Sequence, residues 1–101
     1  MIIERNEFRL KFGKAKEGIE LWNKMIDILK DVKDIPKIRM LVDLTGTSYT
    51  LIVELQLRDL MQIGFKTYQW MTTPGIHELY VQFTPICESS VRTLYRIERE
   101  T

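Results

Sequence analysis

The chain has 101 residues, of which 45% are hydrophobic, and 15 basic and 14 acidic side chains leave a formal net charge of +1. A chain of this length predicts one domain spanning residues 1–101, and its near balance of charge argues against a nucleic-acid or acidic-membrane surface. The one cysteine, Cys87, has no partner for an internal disulfide. Charges at Glu4 and Arg5 lead us to expect no apolar signal segment, and no apolar run approaches the roughly 20 residues of a membrane span. We therefore expect a cytoplasmic protein.

The first third of the chain changes from a strand period to a helix period. Residues 2–12 alternate, so one face of a strand carries Ile2, Glu4, Asn6, Phe8, Leu10 and Phe12. Gly13 ends this strand. Residues 14–33 then carry apolar side chains every three or four positions, which predicts a long amphipathic helix. These positions are Ala15, Gly18, Ile19, Trp22, Met25, Ile26, Leu29 and Val32.

The middle of the chain predicts a hairpin followed by a helix. Residues 36–44 and 48–57 both alternate, and the turn TGTS between them has a length suited to a hairpin. Asp59 can cap the helix that follows. Its predicted apolar side carries Leu60, Met61, Gly64, Phe65, Tyr68 and Met71.

The last third predicts a second short helix and a closing strand. Thr73 is a good N-cap and Pro74 a good first helical residue, and the buried stripe comprises Ile76, Leu79, Tyr80 and Phe83. Residues 89–98 alternate again, with Val91, Thr93, Tyr95 and Ile97 against Arg92, Arg96 and Glu98. The order βαββαβ predicts an α+β, ferredoxin-like fold. Its four-stranded antiparallel sheet would carry the helices on one face.

The other face of the predicted sheet is mostly charged. It would gather Arg5, Glu7, Arg9, Lys37, Arg39, Asp43, Glu54, Arg92, Arg96 and Glu98, with Leu41, Ile52 and Leu94 as its apolar members. Such a face can simply meet water. RNA binding is disfavoured, because the pattern supplies no aromatic stacking platform there. The third interpretation is a homodimer in which two sheets close face to face into a barrel and charges pair across strands.

Short segments resemble the dimeric α/β-barrel superfamily. "FRLKFGKAKEGIELW" is similar to its first strand, turn and helix, "TPGIHELYVQFTP" to its second helical region and "VRTLYRIE" to its closing strand. NIPSNAP-like proteins and antibiotic-biosynthesis-type monooxygenases share this plan. The resemblance implies a homodimeric barrel with a ligand pocket between the sheet and the helices of each subunit.

The resemblance also implies candidate site residues. Haem-degrading members place an Asn seven residues before the turn glycine, as Asn6 stands before Gly13, and use a Trp and a haem-ligating His on successive helices. Trp70 and His77 are the matching candidates for a catalytic set, although here they lie about one helical turn closer together. Tyr80 stands where the His would be expected. Tyr68 and Tyr80 are further ligand-binding candidates in cofactor-free members.

Two functions stay open from the sequence. The first is a monooxygenase, cofactor-independent or haem-linked, whose pocket holds a small aromatic or haem-like ligand; the cofactor itself is unknown. The second is a non-catalytic binding or assembly module that acts through its dimer interface. A metal site is not expected, since one His and one Cys cannot make a closed zinc site unaided.

Overall fold

The computed structural model describes all 101 residues, and its element order confirms the ferredoxin-like prediction. The elements are β1 (Ile2–Leu10), α1 (Ala15–Leu29), β2 (Lys37–Val42), β3 (Thr50–Leu57), α2 (Met61–Thr72), α3 (Ile76–Phe83), a 3-10 turn (Thr84–Ile86) and β4 (Cys87–Arg96). The strands form one antiparallel sheet in the order β2-β3-β1-β4. None of the helices combines the length and the apolar character needed to cross a membrane.

The core lies between the centre of the sheet and α1. All four helix-side residues of β3, from Leu51 to Leu57, are inaccessible to solvent, as are Met25 and Leu29 of α1. Gly18 lets the helix approach the sheet closely, because a Cβ there would lie 2.9 Å from Leu10 Cδ1. The apolar period of α1 therefore correctly predicted which of its sides is buried, although the helix ends four residues earlier than predicted.

Helix α2 faces the opposite way from its apolar pattern, so this prediction was wrong. Its buried residues are the polar Gln62, Lys66 and Gln69, spaced four and three residues apart on one side. The residues predicted to be buried lie at the surface: the exposed fractions are 86% for Met61 and 77% for Met71. The exposed apolar stripe of α2 comprises Leu60, Met61, Phe65, Tyr68 and Met71.

The two ends of α2 use different caps. As predicted, Asp59 caps the start, where its Oδ1 accepts a hydrogen bond from the backbone N–H of Gln62 at 3.2 Å. Thr73, predicted to cap α3, instead ends α2 in an extended conformation. Gly75 precedes α3 with φ 92°, a left-handed conformation that glycine adopts without steric cost. This tight junction places α3 directly beside α2.

Strand β4 also differs from its predicted facing. Arg92 pairs with Asn6 and Leu94 with Glu4 in the register of β1 and β4. Directly opposite residues point to the same side of a sheet, so Arg92, Leu94 and Arg96 lie on the helix side. The open face instead carries Val91, Thr93 and Tyr95. The predicted alternation was correct. Because both faces of this edge strand are largely exposed, its sequence does not indicate which face the helices cover.

Candidate functional site: a pocket between the sheet and the second and third helices

A pocket of about 260 Å³ opens on the helix side of the sheet, where α2 and α3 meet β1 and β4. Its apolar wall consists of Phe8, Trp22, Trp70, Met71, Ile76 and Tyr80. Its polar wall consists of Asn6, Lys66, Thr67, His77 and Arg92. This combination of a mainly apolar lining with a few convergent polar groups is typical of small-molecule sites.

The apolar wall is built around Trp22. This side chain is 1% exposed, and its ring centroid lies 5.8 Å from Phe8, 5.7 Å from Phe83 and 5.9 Å from Trp70. Phe8 and Phe83 also meet edge to face, at 5.0 Å. These separations and tilts are those that aromatic pairs prefer. The cluster therefore fixes a rigid aromatic surface on one side of the pocket.

Both indoles of this wall keep an unused donor. The Nε1 atoms of Trp22 and Trp70 are buried and have no hydrogen-bond partner in the chain. A buried donor without a partner costs about 1–3 kcal/mol. An oxygen of a bound ligand or an ordered water is the kind of partner that would remove this cost.

Beside the polar wall lies a carboxylate that no solvent reaches. Glu4 is 0% exposed on the helix side of β1, and Lys66 of α2 donates to both of its oxygens, at 3.2 and 2.9 Å. The Lys66 Nζ also lies 5.1 Å from the centroid of Trp70, a cation–π distance. Lys66 therefore joins the buried charge of Glu4 to the aromatic wall.

Asn6 takes part in the same network. Its Nδ2 donates to Glu4 Oε2 at 3.1 Å and to the backbone carbonyl of Val53 at 3.4 Å. Both amide hydrogens are thus engaged, and the Oδ1 atom makes no hydrogen bond within the chain. The amide on the apolar side of the first strand is explained by these bonds: it helps to satisfy a buried carboxylate.

Arg92 approaches the network from β4. Its Nη1 lies 3.7 Å from Glu4 Oε1, close enough for an ion pair but too long for a hydrogen bond, and its side chain is 54% exposed. The guanidinium therefore keeps its donors available at the pocket.

The structure brings four of the five predicted site residues to one pocket. Asn6, Trp70, His77 and Tyr80 all line it, with His77 at the exposed rim. Burial, with a smaller contribution from Cys87, raises the pKa of the Tyr80 phenol, so this group stays protonated and can donate. Tyr68 is 64% exposed on α2 and is not part of the lining.

Sequence reasoning missed Trp22, Lys66 and Arg92. One signal could have found Lys66: Glu4 shares its strand face with Phe8 and Leu10, and a charge on a buried face needs a cationic partner. Arg92 was missed because β4 was assigned the wrong face. Trp22 was taken as core only, whereas it belongs both to the core and to the pocket wall.

A haem group does not fit the pocket. An apolar cavity of about 150 Å³ holds benzene, so 260 Å³ suits one ring or two fused rings, far less than a tetrapyrrole. The rim offers His77 as its one histidine, and that side chain is exposed. As it stands, the pocket therefore fits a small aromatic ligand better than the haem-like one implied by the resemblance.

The fold is shared with several solved structures. A NIPSNAP family protein of unknown function from Agrobacterium tumefaciens superposes with a TM-score of 0.84 at 15% identity, covering 100% of this chain and 91% of the other. A NIPSNAP domain protein from Burkholderia xenovorans gives 0.83 at 14% identity, covering 96% and 94%. This chain shares its fold with these two proteins.

The same fold extends to oxygenases. SnoaB, described as a cofactor-independent oxygenase from Streptomyces nogalater, superposes with a TM-score of 0.75 at 11% identity, covering 98% of this chain and 94% of the other. The expected resemblance is therefore confirmed for the fold. No protein-family model matches the chain, and no curated protein matches it.

Proposed function

We propose that this chain binds a small planar ligand in the pocket between the sheet, α2 and α3. The observation that carries the proposal is the convergence of an aromatic wall and a polar wall on one open space of about 260 Å³. A flat ring would lie against Trp70 and Trp22, since aromatic side chains supply most of the contact area in such sites. Asn6, His77 and Tyr80 would orient its polar substituents.

The activity we propose for this site is cofactor-independent oxygenation, the description that SnoaB carries. In such a reaction a phenolic ring becomes a quinone: one atom of O₂ enters the product at a ring C–H carbon, and the other leaves as water with that hydrogen and the hydroxyl hydrogen. The substrate itself supplies the electrons. His77 would accept a proton from a hydroxyl of the substrate, since histidine is the side chain most often used in general acid–base catalysis.

Ligand binding is tested by titrating the protein with 2-naphthol and following the fluorescence of its tryptophans. Only two are present, Trp22 and Trp70, and both line the pocket, so binding should quench them. The variant Thr67→Phe should abolish this response by filling the pocket, whereas Thr72→Phe should not. The two threonines form a matched pair: both are exposed on α2, and each hydroxyl donates to the carbonyl four residues earlier. No saturable quenching in the unmodified protein would overturn the proposal.

We further propose that two copies pair through the open faces of their sheets, as the resemblance implies. Glu54 lies at the centre of this face, 3% exposed, where Arg5 and Arg39 of the flanking strands bind its two oxygens. With β4 assigned to its observed side, the face is more apolar than the sequence predicted. Its apolar members are Ile3, Leu41, Ile52, Val91 and Tyr95.

The pairing is tested by sedimentation equilibrium across a wide range of protein concentration. We expect a dimer that Ile52→Lys converts to a monomer, because the change places an unpaired charge in the interface. The control Val81→Lys adds the same charge to an exposed position of α3 and should leave the dimer intact. An unmodified protein that stays monomeric would contradict the proposal. A dimer that binds no aromatic ligand would instead favour the assembly module.

A further inference from the structure

The polar wall of the pocket carries more positive than negative charge. It contains two cations, Lys66 and Arg92, and the one carboxylate that pairs with them, Glu4, lies beside it. The remaining ionisable lining groups, His77 and Tyr80, add no further negative charge at neutral pH. An excess of one cation beside an aromatic wall is a recognition feature that the proposed function does not by itself explain.

The two cations have different tasks. Lys66 is 7% exposed and donates to both oxygens of Glu4, so its charge is already neutralised. The side-chain amide of Asn6 donates a further hydrogen bond to the Glu4 carboxylate. Arg92 is therefore not needed to satisfy Glu4, and its distance of 3.7 Å agrees with this. Its side chain is half exposed where the pocket opens.

We infer that the ligand is a planar aromatic monoanion whose anionic oxygen group pairs with Arg92. This inference rests on the proposed function of the same pocket. A guanidinium presents up to five donors in a planar fork that matches a carboxylate in two parallel hydrogen bonds. The ring would lie against Trp70 while its charged substituent reaches across to β4. Arg92 is then the residue that determines specificity for charge.

Glu4 contributes to the same selectivity. Its pairing with Lys66 and Asn6 leaves no free positive charge deeper in the pocket. It thereby favours the position nearer Arg92. An attractive cation at the mouth and a paired carboxylate behind it would orient a monoanion with its ring inward and its charge outward. A dianion or a neutral ring would make less use of this arrangement.

The inference is tested with ligands of equal shape and different charge. The dissociation constants of 2-naphthoate and 2-naphthamide are measured by tryptophan fluorescence at neutral pH and low salt. We expect the carboxylate to bind about tenfold more tightly, as charge-assisted hydrogen bonds allow, and we expect this preference to shrink as salt screens the exposed guanidinium. Equal affinity for the two ligands would overturn the inference and leave the proposed pocket standing.

Substitutions assign the preference to one side chain. Arg92→Gln should lose most of it, because the amide keeps hydrogen-bonding capacity but not the charge. Arg96→Gln is the matched control: it lies on the same strand and the same face, and its only ion pair is with the exposed Glu98 at 3.3 Å. A preference that survives in Arg92→Gln would overturn the inference. Failure of both naphthalene ligands to bind the unmodified protein would overturn the proposed function and this inference together.

A third ligand distinguishes the two sources of the anion. If the natural ligand carries a phenolate, 2-naphthol should bind more tightly as pH rises from about 8 to about 10, through the usual range of a phenol. The effect should disappear in Arg92→Gln. If the natural ligand carries a carboxylate, 2-naphthoate should already exceed 2-naphthol at neutral pH. Either result supports a monoanion, and the absence of both contradicts it.

Discussion

Helices α1 and α2 lie on the same face of the sheet but bury opposite kinds of side chain. Helix α1 buries Trp22, Met25 and Leu29, as its apolar period predicts. Helix α2 buries Gln62, Lys66 and Gln69 and exposes its apolar stripe. The difference shows that a helix is oriented by the surface it covers as well as by its own pattern.

The strand surface beneath each helix explains the difference. Below α1 lie the leucines of β3, so apolar side chains gain the most there. Below α2 lie Glu4 and Asn6. Leaving a buried carboxylate unpaired costs about 3–5 kcal/mol, whereas burying one apolar side chain contributes about 1.5–3 kcal/mol and less against a polar surface. Pairing with Lys66 therefore outweighs burial of any single methionine of the stripe.

The largest expected effect comes from removing that pairing. Lys66→Met should lower the free energy of unfolding by about 4 kcal/mol, because it leaves Glu4 buried beside a neutral side chain. Urea denaturation measures the change. The double variant Glu4→Gln/Lys66→Met should recover most of the loss, and Lys24→Met, at an exposed position of α1, should change little. If Lys66→Met were as mild as Lys24→Met, the electrostatic account of α2 would be wrong.

A slightly smaller effect is expected in the core beneath α1. Met25 is 0% exposed, so Met25→Ala should cost about 3 kcal/mol through lost burial and the cavity it leaves. The urea midpoint should fall with an unchanged slope, because the surface exposed on unfolding stays almost the same. A change below about 0.5 kcal/mol would mean that α1 is no better packed than α2.

The same contrast shows how far the sequence could be read. Periodicity alone predicted the element order, the buried side of α1 and the inward face of β3. It succeeded there because the buried positions of these elements lie in one apolar core, where burial of hydrophobic side chains decides the facing. It failed for α2 and β4, where Lys66 and Arg92 pair with Glu4 of β1, a residue that is distant from both in sequence. Asn6, Trp70 and His77 could be placed together only through resemblance to a family, since no local pattern links β1 to the α2–α3 junction.

A third effect, smaller again, comes from the open face, where no helix covers the buried carboxylate. Burial opposes ionisation of Glu54, but hydrogen bonds and charge from Arg39 and Arg5 outweigh it and hold its pKa below the ordinary 4.5. Its contribution to stability is therefore complete above pH 4.5 and is lost as the pH falls below that value. Chemical denaturation from about pH 6 to about pH 3 should show this fall in the free energy of unfolding, which we call the acid limb.

Two variants isolate the contribution of Glu54 to that limb. In Glu54→Gln the decline in unfolding free energy below pH 4.5 should be shallower, because the titrating group is gone. The control Glu17→Gln removes a carboxylate from an exposed pair with Lys14. If all three proteins lost the same free energy of unfolding at low pH, the ion pairs of Glu54 would not stabilise the fold as those of Glu4 are expected to.

The smallest expected effect is the sharpest test of the comparison, because it uses the same residue type on the other helix. Met61 is 86% exposed where Met25 is 0% exposed, so Met61→Ala should change the free energy of unfolding by no more than about 0.5 kcal/mol. The measurement belongs at low protein concentration, where contacts between molecules do not contribute. If Met61→Ala cost as much as Met25→Ala, the apolar stripe of α2 would lie inward, Lys66 would turn away from Glu4, and the polar wall of the pocket would lose Lys66.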